Sequence, residues 1–134
     1  MFVGVGNVLH SDDGVGVQVS DRIRENEHIQ VIKAEVSIEN YIGKINSVSA
    51  DAVIIIDSVF YGKKPGYCEL TPVEKLLDYT TNTHNISLKK ILELFHSRVW
   101  ILGIQPASVS FGEKISAEVL RTADKIVSII NDHG

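Results

Sequence analysis

Two stretches, "AVIIID" (52–57) and "VWILGI" (99–104), limit the choice of fold more than any other feature of the chain. A continuous run of β-branched and apolar residues offers water no polar face, so each reads as a strand buried on both sides, as at the centre of a parallel sheet. Such strands need helices above and below. The spacing supplies them. Val15, Val19 and Ile23 recur at four-residue intervals and predict a helix over about 13–25. Residues 39–48 read as a short helix with Ile42, Ile45 and Val48 on one side. Leu88, Ile91, Leu92 and Phe95 mark another, and Ile115, Val119, Ala123, Ile126 and Ile130 a long terminal one. "MFVGVG" (1–6) and "IQVIKAEV" (29–36) read as further strands, and "GYCEL" (66–70), after the "YGKKPG" turn, as a short peripheral strand. Strands alternating with helices predict an α/β, three-layer architecture: a twisted, mainly parallel sheet with helices on both faces, in one domain over 1–134.

Composition narrows the function classes. A chain of 134 residues, 44% apolar and 22% charged, can bury a core without disulfide or metal staples. Its net charge of −4 gives no reason to expect nucleic acid or an acidic membrane surface as partner. The first residues, "MFVGVG", read as too short and too uncharged for a secretory signal, so none is expected, and no apolar stretch approaches the roughly 18–20 residues that span a bilayer. The expected location is the cytoplasm, and nothing in the sequence demands more than a monomer. The lone Cys68 excludes an intramolecular disulfide and reads as a buried apolar residue rather than a nucleophile.

In open parallel sheets, ligands collect at the carboxyl ends of the strands. "GVGNVLHSDDGVGV" (4–17) opens there like a phosphate loop, but Leu9 stands where a third glycine is needed and Asp12 and Asp13 bring like charge. Asp57 terminates "AVIIID", Gln105 follows "VWILGI", and His84 lies in the polar loop "TTNTHNIS". The structural readings stand beside the functional ones. Ser11 or Asp12 suits an N-cap, Asp13 the first turn of a helix, and Asp57 a turn before Val59. Gln105 suits either a bound peptide or its own turn. His10, His28, His96 and His133 have no such placement. Gly14 and Gly16, each costing about 1 kcal/mol in a helix relative to alanine, imply close approach of the sheet or of a partner chain. Together Asp13, Asp57 and His84 offer two hard oxygens and one imidazole nitrogen, a set suited to zinc, nickel or manganese with open positions. No HExxH helix and no G-x-S-x-G elbow is present.

At these residues the sequence resembles the nickel-iron hydrogenase maturation endopeptidases. "GVGNVLHSDDGVGV" is similar to that family's amino-terminal G-N-x-x-x-x-D-[DE]-x-x-G signature, and "VIIIDSVFYGKKPG" to its central strand, terminal aspartate and Pro-Gly turn. "TTNTHNISL" and "LGIQPASVSFG" resemble its histidine loop and its last strand with the Gly-Ile-Gln-Pro turn. "THN" and "SIEN" (37–40) lean toward the hydrogenase-3-type branch, which serves hydrogen-evolving enzymes. Ser11 stands where relatives often have glycine, and Ile38 where a proline is common.

The resemblance implies an aspartic-type endopeptidase. It removes a carboxy-terminal extension from the hydrogenase large-subunit precursor after nickel insertion, with Asp13, Asp57 and His84 as metal-contacting and catalytic residues. The nickel is expected to arrive on the precursor, mainly held by its cysteines, with other divalent metals able to substitute in vitro. Gly14 and Gly16 are expected to admit the precursor's backbone, and Glu35, Glu39 and Asn40 to line a neighbouring wall. Two other readings stay open: a nickel-checking assembly factor that binds the precursor without cutting, and a small nucleotide or phosphosugar binder built on the Gly4/Gly6 turn.

Overall fold

The computed structural model describes residues 1–76 and 87–133. The two apolar stretches form β3 (Val53–Ser58) and β5 (Val99–Ile104), paired in parallel with Asp57 opposite Gly103. β1 (Phe2–Val5) lies on the other side of β3, and β2 (Val31–Glu35) beyond it, both parallel. The fifth strand, β4 (Cys68–Pro72), runs antiparallel at the edge beside β5 and completes the order β2-β1-β3-β5-β4. Its position as an edge strand fits its ending in Pro72, which cannot donate to a ladder. The predicted α/β architecture, a mainly parallel sheet with helices on both faces, is the one observed.

Alternation along the strands sends side chains to two cores. Val3, Val5, Val53, Ile55, Val59, Val99 and Ile101 pack on one face with Ile45 of α2 (Ile42–Ser47), with Val73 and Leu76 of α3 (Val73–Leu76), and with Ile91 of α4 (Leu88–Leu94). Ile56 and Ile104 pack on the other face against Val15 and Val19 of α1 (Val15–Arg22) and Val119, Ala123, Ile126 and Val127 of α5 (Ala117–His133). Ile55, Ile56, Ile101 and Ile104 are fully buried, each contributing about 1.5–3 kcal/mol.

Three local differences from the sequence reading have physical causes. The helix expected over 13–25 is a 3-10 turn, Ser11–Gly14, followed by α1, which stops at Arg22. The chain is extended from Ile23, and Asn131 of the terminal helix satisfies the backbone there, its Nδ2 donating to Arg22 O at 3.0 Å and its Oδ1 accepting from Arg24 N at 2.9 Å. The helix expected over 39–48 likewise begins as a 3-10 turn, Ile38–Tyr41. The four-residue α3 was not anticipated, being too short to show a period.

Glycines set the spacing between α1 and the sheet. A Cβ at Gly16 would meet the carbonyl oxygens of Ile56 and Val5, and one at Gly4 would meet Ser20 Oγ. The helix therefore lies directly on β1 and β3, which brings the turn before it over the carboxyl ends of those strands.

Candidate active site

Asp13 and Asp57 arrive from different elements and meet around one residue. Asp57 sits in β3 on the same face as Ile55, one residue before the strand ends rather than at its last position. Its Oδ1 accepts from the backbone N–H of Ser58 at 2.8 Å. The Ser58 hydroxyl donates in turn to Asp13 Oδ1 at 2.7 Å, and the Asn7 N–H donates to Asp13 Oδ2 at 3.1 Å. Asp13, Asp57 and Ser58 are all at most 1% exposed. A single serine thus holds two buried carboxylates, one through its amide and one through its side chain. The sequence reading passed over Ser58; the available signal was its place directly after the strand-end aspartate.

His84, the third expected member, lies outside the described residues. Among the described residues no group of three or more His, Cys, Asp or Glu is placed to hold a metal ion. What the described part of the site offers is a pair of carboxylates with oxygens suited to a hard or borderline cation, or to moving a proton.

Asp12, one residue before, turns elsewhere. It is not an N-cap: His10 holds that position, with no side-chain cap bond. Instead its buried carboxylate reaches across to the segment between β5 and α5. Oδ2 accepts from the amides of Ala107 and Ser108 at 2.8 and 3.1 Å and from Ser116 Oγ at 2.8 Å; Oδ1 accepts from Ser116 N at 2.7 Å. Starting the 3-10 turn at Ser11 puts Asp12 inside it, aimed at those amides. Ser11 itself has φ 52°, a left-handed conformation that explains why glycine suits this position. Gly112 O accepts from Ser11 N at 2.6 Å, which helps hold it there.

The amides of the first turn are already engaged, which answers the phosphate-loop resemblance. Gly6 N donates to Glu35 O, Asn7 N to Asp13, Leu9 N to Asn7 Oδ1 and His10 N to Asn7 O. A phosphate would find no ring of N–H groups waiting, so the nucleotide reading fails on geometry. Gly14 and Gly16 do not open a path for a partner's backbone: Gly16 fits α1 onto the sheet, and a Cβ at Gly14 would lie 2.8 Å from Val8 Cα. Gln105 serves its own turn only through Nε2, which donates to Pro106 O at 3.2 Å; its Oε1 braces the loop after β3, accepting from Tyr61 N at 2.6 Å and Lys63 N at 3.4 Å. Glu35, Glu39 and Asn40 are exposed around the carboxyl end of β2.

Two further groups flank this edge. The Tyr61 hydroxyl fills the notch left by Gly103 and is buried with no hydrogen-bond partner among the described residues. Burial first, then Glu69, pushes its pKa above the ordinary tyrosine range. Cys68 is exposed at the start of the edge strand, not buried as its apolar neighbours suggested, because β4 is covered on one side only. Desolvation by the atoms packed around its sulfur nonetheless raises its pKa, keeping the thiol protonated and a poor nucleophile. Among the described residues no helix is long and apolar enough to cross a membrane.

Comparison with known proteins shows the family and the fold. A family model described as HycI, hydrogenase maturation protease, matches residues 15–133. A Methanocaldococcus jannaschii protein named as a candidate hydrogenase maturation protease is 26% identical, over 97% of this chain and 92% of its own. The crystal structure of a [NiFe] hydrogenase maturation protease HycI from Thermococcus kodakarensis superposes with a TM-score of 0.85 at 25% identity, covering 98% of this chain and 88% of that one. The solution structure of an endopeptidase HycI from Escherichia coli shares the fold, with a TM-score of 0.80 at 21% identity over 100% of this chain and 90% of its own. The family model spans β3, β5 and all the helices, and its members are named as peptidases, so this chain belongs to the HycI hydrogenase maturation protease family and is a peptidase of hydrogenase maturation.

Proposed function

We propose that this peptidase removes the carboxy-terminal extension of a nickel-iron hydrogenase large-subunit precursor once nickel has been inserted, and that the precursor's own nickel is what it recognises. Asp13 and Asp57, with His84, complete the coordination of an ion held mainly by precursor cysteines. The observation that carries the reading is Ser58, which ties two buried carboxylates to one residue at the carboxyl edge of the sheet, one through its amide and one through its hydroxyl. Two acidic groups held this way suit an ion that brings most of its own ligands. The family named in the comparisons supports a hydrogenase substrate. "THN" and "SIEN" support a hydrogenase-3-type enzyme as the one served.

Anchored by its metal, the precursor presents its scissile carbonyl in a fixed orientation, which removes the entropy of aligning it. The ion polarises that carbonyl. A carboxylate of the pair takes a proton from the attacking water as the C–O bond forms, and the proton passes to the leaving amine as the C–N bond breaks.

The test is incubation with nickel-loaded and nickel-free precursor, read by mass spectrometry of the large subunit's carboxyl terminus. Cleavage of the loaded form alone is expected. Equal cleavage of both removes nickel from recognition, and binding without cleavage of either leaves only an assembly role.

A further inference from the structure

Four loops follow the parallel strands at the edge that holds Asp13 and Asp57, and each carries an exposed large apolar residue. Leu9 follows β1 at 46% exposure, Val36 follows β2 at 52%, Phe60 follows β3 at 37%, and Phe111 follows β5 at 82%. Phe111 is exposed on a braced loop. Gly112 N donates to Leu9 O at 2.7 Å, Ser11 N donates to Gly112 O, and the Phe111 ring meets the His10 ring edge-on at 6.2 Å between centroids. Asp12 fixes the other end of the same loop at Ala107 and Ser108. A phenylalanine held in water by so many backbone constraints is pre-organised for burial against something else.

The segments 6–11, 58–62 and 105–112 contain no Lys, Arg, Asp or Glu, although 22% of the chain is charged. Interface centres have this composition: aromatic and apolar residues enriched, charge depleted. The loop after β2 differs, with Glu35 and Glu39 exposed on either side of Val36; elsewhere on this edge the acidic charge sits in the buried Asp12, Asp13 and Asp57. A rim free of charge on three of its four loops, acidic on the fourth and set around an acidic floor, complements an apolar protein surface with a cation at its centre. Cavities of about 300 and 520 Å³ lie elsewhere, around Met1 and Val48, and one of about 220 Å³ lies beside α1 next to Val8, Ser11 and Glu113; none of the three is lined by Asp13 or Asp57.

We propose that Leu9, Val36, Phe60 and Phe111 form a docking rim on which the folded large-subunit precursor seats, with Phe111 as its anchor. The inference rests on the function proposed above for its choice of partner. Closing the rim excludes water from the aspartate pair, which strengthens every electrostatic interaction there.

The experiment compares wild type, Phe111→Ser and, as an exposed site on α5, Ile129→Ser. Each is checked for folding by circular dichroism and for oligomeric state by light scattering. Affinity for nickel-loaded precursor is measured by biolayer interferometry, and processing is followed as a KM and kcat split. Phe111→Ser is expected to weaken binding about 30-fold or more, as a truncated hot spot does, raising KM while kcat at saturation stays near wild type. Ile129→Ser is expected to match wild type. Equal affinity of the three proteins overturns the rim, as does a wild-type dimer that Phe111→Ser converts to monomer, which makes the rim a self-interface. Phe111-dependent binding without cleavage keeps the rim and defeats the proposed reaction. Cleavage with unchanged KM in Phe111→Ser does the reverse, and a wild type that neither binds nor cleaves removes both.

Discussion

Replacing Asp12 by asparagine tests whether the first acid of the pair is structural. The carboxylate accepts four hydrogen bonds, three on Oδ2 and one on Oδ1. Asparagine has one accepting oxygen. Turned to serve Ala107, Ser108 and Ser116 Oγ, it sets its NH2 against the Ser116 N–H, so two donors face each other in a buried site. Hydrogen bonds to a charged acceptor contribute about 1.5–3 kcal/mol each, and neutral ones roughly half that. Losing one outright and weakening three gives an expected destabilisation of about 4–7 kcal/mol, a large share of the ~5–15 kcal/mol that holds a domain folded. For a chain of this length the melting temperature should fall by on the order of 15–25 °C. Thermal and urea unfolding followed by circular dichroism measure the loss, and hydrogen exchange at Ala107, Ser108 and Ser116 locates it. A melting temperature within about 2 °C of wild type, together with abolished processing, would refute the reasoning and move Asp12 into the active site.

Four other outcomes follow from the same geometry. Asp13→Asn and Asp57→Asn keep shape while removing charge, and each should abolish precursor processing with the protein still folded; normal processing by either takes that residue out of the site. Ser58→Ala removes the hydroxyl from Asp13, and should lower stability by about 1–3 kcal/mol and slow processing, read from urea midpoints and a cleavage time course. Gly16→Ala puts a methyl group against the carbonyls of Ile56 and Val5, and should yield little soluble folded protein; a variant with wild-type stability contradicts the close packing of α1. Tyr61→Phe removes a buried, unpaired hydroxyl and should raise stability by about 1 kcal/mol at neutral pH. Because the folded-state pKa of Tyr61 is raised, the unfolded chain releases its proton first, so wild-type stability falls as pH rises above about 10; the phenylalanine variant lacks that contribution, and parallel alkaline unfolding curves for the two would count against it.

The sequence by itself determined the layers and the edge at which to look for chemistry. β3 and β5 coincide with the two uninterrupted apolar stretches to within a residue, because a strand buried on both faces has no polar position to blur its ends. Asp13 and Asp57 were legible as candidates because strand-end placement is a matter of order along the chain, which a sequence states directly. Only the tertiary structure decided what each acid does. Asp12 and Asp13 are adjacent and chemically identical, yet one braces residues 107–116 and the other meets Ser58, a division set by the direction each side chain takes from a 3-10 turn. The glycines carried the same ambiguity, since spacing shows that something comes close at Gly16 without saying that it is the protein's own sheet. Contacts between residues some 45 or 95 positions apart leave no local trace in the chain, and those contacts separate the scaffold from the site.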